Sequence, residues 1–136
     1  MTVKRSAPSL PAAEITYLDT WMNKVSRSFA LVVASLEDPM SHYLGVAYLI
    51  CRVIDNIEDC HQPFDWKTAR FQEISHLLLE PSQAEAILKI WDYESWPGLE
   101  TNQVRLMSLK DGQMLWKIFT MIPDDSRSSI RYWAQG

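Results

Sequence analysis

One stretch restricts the fold more than any other: residues 39–59, which read P-M-S-H-Y-L-G-V-A-Y-L-I-C-R-V-I-D-N-I-E-D. Asp38-Pro39 supplies a helix start, with Asp38 as N-cap and Pro39 at the first helical position. No further proline interrupts the pattern before Pro63, so one helix of about five to six turns is predicted over 39–59. Met40, Tyr43, Leu44, Val46, Ala47, Leu49, Ile50, Val53, Ile54 and Ile57 leave it no solvated side. Such a helix belongs in the centre of its domain, packed on several sides.

Its end is acidic, and that is the wrong end. The last carbonyls of a helix already carry partial negative charge, so carboxylates there are repelled. Asp55 and Asp59 stand four residues apart and share a side, and Glu58 flanks Asp55. A divalent cation removes both penalties, and hard oxygen ligands suit Mg²⁺. Tyr48, Arg52, Asp55 and Asp59 fall within roughly 60° of one another at about 100° per residue. An arginine beside a carboxylate pair, under an aromatic ring, on an apolar helix suits a ligand with a charged head and a hydrocarbon tail. An isoprenoid diphosphate is such a ligand.

Ser26-Arg27-Ser28-Phe29-Ala30, followed by Tyr48-Leu49-Ile50-Cys51-Arg52-Val53-Ile54-Asp55-Asn56-Ile57-Glu58-Asp59, resembles the squalene/phytoene synthase family. The pattern is most like the squalene synthase branch, with S-R-S-F and Y-L-x-x-R-x-x-D-x-x-E-D. The two motifs in this order and spacing carry the resemblance; D-x-x-E-D alone would be weak. It implies an all-α fold, the N-terminal part of the isoprenoid synthase helical architecture, with about six to seven helices. It implies a transferase that joins two farnesyl diphosphates head to head through presqualene diphosphate, then reduces the product to squalene with NADPH. By that resemblance Asp55, Glu58 and Asp59 hold Mg²⁺ on the diphosphate. Arg27 and Arg52 neutralise the leaving group, and Ser28, Phe29 and Tyr48 complete the substrate or cofactor site. A phytoene or dehydrosqualene synthase is the neighbouring alternative.

Composition sets the outer bounds. A net charge of −4 with no basic cluster argues against a nucleic-acid binder. With 47% hydrophobic residues and only 4 glycines, a helical globular chain is favoured over disorder or a glycine-rich β fold. Cys51 and Cys60 form no disulfide framework, so a reducing, cytoplasmic setting is the expectation. Residues 1–10 are polar, with no apolar run after Lys4 and Arg5, and so do not read as a signal peptide. No stretch reaches the eighteen or so apolar residues of a membrane span. A lipidic substrate leaves peripheral membrane association open.

In chain order, residues 1–11 read as a tail, 12–24 as a helix, and 26–29 as a bend into a short helix over 29–36. Serines beside a helix start offer hydroxyls and free N–H groups to phosphate oxygens; the plainer reading is that Ser28 caps and Arg27 pairs with a surface acid. Asp65 caps a helix over 66–79, and Ser82 opens one through Trp91 with Glu85 as a capping box. Residues 92–100 contain Trp96-Pro97-Gly98 and read as a surface loop or lid. Thr101 or Asn102 caps a long helix to Ile122, in which Gly112 marks a kink or close contact and Met107, Met114 and Met121 fill the core. A last helix spans 126–133, where Asp124-Asp125 serve the helix start and not a metal. Cys60 and His61 are adjacent and lack a second ligand pair, so zinc is not expected.

The family's second aspartate-rich motif, D-x-x-x-D, has no counterpart in this sequence. The resemblance covers roughly the first 40 per cent of such an enzyme by its usual domain size. The chain therefore reads as an N-terminal portion, inactive or nearly so alone, with apolar helix faces that a partner chain or self-association would cover. Two other classes compete. One is a non-catalytic helical module; the other is an all-α Mg²⁺ nucleotide pyrophosphohydrolase, which wants a second E-x-x-[DE] helix that residues 94–100 do not supply.

Overall fold

The computed structural model describes residues 10–135. They form eight α-helices: α1 Ala12–Val25, α2 Arg27–Ala34, α3 Met40–Asp59, α4 Phe64–Leu79, α5 Ala84–Asp92, α6 Thr101–Leu106, α7 Leu109–Met121 and α8 Asp124–Gln135. A 3₁₀ turn, Pro81–Gln83, leads into α5. The fold is all-α, as expected. Of the tail placed at 1–11, residues 1–9 lie outside the described residues, whereas Leu10 is packed into the core.

The central helix is α3. It packs against α1, α2, α4, α6, α7 and α8. Val46, Leu49, Ile50, Val53 and Ile57 recur at helical spacing, and all five have 0% exposure. Each such side chain contributes about 1.5–3 kcal/mol by leaving water. The expectation of an α3 without a solvated side is corrected, however. Tyr43, Leu44, Tyr48, Cys51, Arg52 and Asp55 are only half-buried, and Met40, Glu58 and Asp59 are exposed. This strip has Phe29 of α2 on one side and Ile130 and Trp133 of α8 on the other.

Several helix starts differ from expectation, each for a local reason. Asp38 does not cap α3, because Pro39 takes the N-cap position. The Asp38 carboxylate instead accepts from Ser41 Oγ at 2.6 Å and lies 3.4 Å from His42 Nε2. Ser26, not Ser28, caps α2, its hydroxyl accepting from the Phe29 N–H at 3.2 Å; the helix accordingly runs 27–34 and not 29–36. Pro63 displaces Asp65 from the cap of α4, leaving that acid in the first turn. Pro81 turns Ser82 into the 3₁₀ turn, so α5 starts at Ala84. Glu100 precedes α6 in place of Thr101 or Asn102.

The long helix expected from 101 to 122 is divided, which accounts for the eighth helix. Ser108 breaks it: its Oγ donates to the Arg105 carbonyl at 2.7 Å and accepts from the Asp111 N–H at 3.1 Å, capping α7. Gly112 then lets the new helix pass close to the old one. A Cβ there would stand 2.3 Å from the Leu106 carbonyl oxygen, so only glycine fits.

The segment expected as a surface loop or lid is a surface loop, and it is pinned. Trp96 packs edge-on against Trp66 and Trp91, at 5.0 and 5.8 Å between ring centres, and its Nε1 donates to the Trp91 carbonyl at 3.1 Å. Trp66 and Trp91 donate to Glu94 and Glu73 at 2.6 and 2.7 Å. Buried Arg70 pairs with both of those carboxylates, at 2.6 Å to Glu73 and 3.2 Å to Glu94. The His61 N–H donates to the Pro97 carbonyl at 2.8 Å. Gly98, at φ +88°, has the His61 ring 2.7 Å from where a Cβ would be.

One buried position is underfilled. Gly45, in the interior of α3, lines a cavity of about 450 Å³ between α1, α2 and α3, and a Cβ there would meet nothing within 4 Å. Gly45→Ala is therefore expected to stabilise the chain by about 0.5–1 kcal/mol, through reduced chain entropy and better helix propensity. A rise in the urea midpoint checks it; a fall would show that the space is needed.

Candidate functional site

The site residues come from two elements. Ser26 starts α2, which sets Phe29 one turn in, over Tyr48 of α3; their rings stack at 4.3 Å with an 18° interplanar angle. One turn further along α3, Arg52 Nη1 lies 3.8 Å from Asp55 Oδ2. That pair is partly exposed, at 28% and 49% of the side chains, and so contributes little to stability. Arg52 Nε, by contrast, is buried and has no hydrogen-bond partner among the described residues. A buried guanidinium N–H without an acceptor is costly, and an anionic oxygen beside it would satisfy it.

Phe29, Tyr48, Arg52 and Asp55 are thus brought together. Arg27 and Ser28 are not: both are exposed in the first turn of α2, and neither forms a side-chain hydrogen bond or ion pair among the described residues. Asp59 and Glu58 are exposed at the end of α3. Asp59 lies about 40° round the helix from Asp55, but Glu58 lies about 60° round on its other side. Among the described residues no three His, Cys, Asp or Glu side chains gather closely enough to cage a metal ion. This donor set still fits Mg²⁺, which uses one or two carboxylates and takes its other oxygens from phosphate and water. Asp55 and Asp59 are the pair so placed.

Sequence reasoning missed two supports of this end. Lys67 of α4 sets its ammonium on the Glu58 carbonyl, at 2.5 Å, against the partial negative charge of the helix end. Asn56, inside the acidic run, is buried at 1% exposure and paired with Gln103 of α6. A polar residue spaced with the core positions Leu49, Val53 and Ile57 was the available signal for it. Nearby, burial raises the Cys51 thiol above its ordinary range, reinforced by the Asp55 charge. Burial also raises the Cys60 thiol, although Lys67 opposes it. Both are free cysteines, and burial disfavours their thiolate forms.

Among the described residues no helix is long and apolar enough to cross a membrane. No curated protein is significantly similar to the sequence. The family model for squalene/phytoene synthase matches residues 22–111, a span that contains the S-R-S-F segment, all of α3 and every residue of the site. With well over half of its length matched, and with both motifs set on adjoining helices of an all-α fold, the chain belongs to the squalene/phytoene synthase family.

Proposed function

We propose that the chain supplies the first-motif side of an isoprenoid diphosphate site, in an enzyme of the squalene synthase type that condenses two farnesyl diphosphates and reduces the product with NADPH. The observation that carries this reading is Arg52, set against Asp55 with its Nε unpartnered, next to the Phe29–Tyr48 stack on the half-open side of α3. Asp55 and Asp59 would hold Mg²⁺, which supplies neutralising charge to the departing diphosphate. Arg52, whose side chain is 28% exposed, offers the accessible part of its guanidinium to a diphosphate oxygen. Arg27 and Ser28, exposed in the first turn of α2 and not gathered with Arg52, would meet the head group only on its arrival. Tyr48, Phe29 and Leu44 present an apolar wall to the hydrocarbon and exclude water from it.

Product analysis after incubation with farnesyl diphosphate, Mg²⁺ and NADPH tests the reading. Squalene is the expected product of the site once both of its sides are present. Dehydrosqualene or phytoene would move the chain to the other branch. No turnover, together with no Mg²⁺-dependent diphosphate binding, would sink it.

A non-catalytic helical module bound to a partner chain is the second reading, and α2 favours it. None of its residues is buried, and Leu31 and Val32 stand 75% and 53% exposed. Such a face calls for a cover.

A further inference from the structure

Asn56 sits between two of the carboxylates the site depends on, yet it points inward. A buried primary amide needs partners for both its donor and its acceptor. Gln103, in the first turn of α6, supplies both. Asn56 Nδ2 donates to the Gln103 main-chain carbonyl at 3.2 Å, and Gln103 Nε2 donates back to Asn56 Oδ1 at 3.2 Å. Gln103 Oε1 is also used, accepting the Glu100 N–H at 2.7 Å. The two amides therefore fasten the end of α3 to the start of α6. The loop that precedes α6 is itself held by the three tryptophans and by His61.

The consequence is angular. Asn56 lies about 100° round α3 from Asp55 and about 60° from Asp59. Fixing Asn56 on α6 fixes both carboxylates on the open side, with Arg52. Helix ends otherwise fray, and like charges four residues apart encourage it. We propose that Gln103 is a positioning residue for the metal–diphosphate end of α3, acting through Asn56. This inference rests on the reading under Proposed function.

The test uses the full chain, with Mn²⁺ in place of Mg²⁺ and inorganic pyrophosphate as the probe. Binding is read from water-proton relaxation and stability from the urea midpoint. Gln103→Met keeps the volume, removes both amide functions, and leaves Asn56 Oδ1 and the Glu100 N–H unpaired. It should lower the midpoint and weaken Mn²⁺–pyrophosphate binding about tenfold, the scale seen when an outer support of a metal ligand is lost. The double variant Asn56→Leu with Gln103→Met removes the buried Asn56 amide that the single variant leaves half-paired, a change that recovers part of the stability, while the Glu100 N–H stays unpaired and the Gln103 main-chain carbonyl loses its donor. A positioning role requires the midpoint to rise above that of Gln103→Met while binding stays about tenfold weak. Binding that recovers with the midpoint, or that Gln103→Met leaves untouched, overturns the proposal.

Asp55→Asn separates this failure from that of the underlying reading. If Asp55→Asn and the unmodified chain bind the probe alike, the metal reading itself falls. Amide hydrogen exchange then decides the clamp alone: Gln103→Met must speed exchange over 56–59 more than over 46–53, and unchanged exchange refutes it.

Discussion

Asp55→Ala is expected to abolish Mg²⁺-dependent release of diphosphate from farnesyl diphosphate, when the chain is assayed together with whatever supplies the second aspartate-rich motif. The carboxylate faces the open side of α3 beside Arg52, and only Asp59 shares its position for a metal ion. With Asp55 and Asp59 as the proposed pair of ligands, losing one would forfeit several kcal/mol of charge stabilisation at the leaving group, or about a thousandfold in rate. The fold should not notice. Asp55 is half-exposed and its ion pair with Arg52 is 3.8 Å long, so unchanged far-UV circular dichroism and a urea midpoint that does not fall, and rises slightly as charge repulsion at the helix end is relieved, are part of the expected result. Glu58→Gln should cost less, because Glu58 lies on the far side of Asp55 from Asp59. Wild-type Mg²⁺-dependent turnover in Asp55→Ala would remove this residue from the site.

Trp91→Ala is expected to give the largest loss of stability, about 3–5 kcal/mol, from the cavity left by a fully buried indole. A domain of this size has about 5–15 kcal/mol in total. The melting temperature should accordingly drop by roughly 10–15 °C. The position is also a junction. Its Nε1 donates to Glu73 at 2.7 Å, its carbonyl takes the Trp96 Nε1, and its ring lies edge-on to Trp96. Trp91→Phe keeps a ring but loses the donor, and should fall between the two. A melt of Trp91→Ala within two or three degrees of the unmodified chain would show that neighbouring side chains fill the hole.

The parts of the fold legible in the sequence were those set by apolar runs and by motifs. The central place of α3 followed from its apolar content, although its half-open side did not, and the motifs on α2 and α3 gave the family. Legibility failed where one side chain overrode a pattern. Ser108 ends a helix whose apolar stripe continues through it. Pro39 and Pro81 displace the polar residues that otherwise look like caps. The loop at 92–100 has the composition of a surface loop or lid, and the packing of Trp96 on Trp91 and on Trp66, the last of these distant in sequence, makes it a fixed brace. In the site, the pairing of Arg52 with Asp55 followed from their spacing of three. The hold on Asn56 did not, because Gln103 reaches it across 47 residues.

Helix α2 imposes its own condition on any ligand. It carries Arg27, Ser28 and Phe29, yet it is anchored by no fully buried side chain. Segments with so little interior contact have low local opening free energies. The apparent dissociation constant is the intrinsic one divided by the fraction of molecules with this helix seated. If the proposed head group engages α2, part of its interaction energy would be spent on docking that helix, and anything that weighs down its outer surface would tighten binding without touching the ligand.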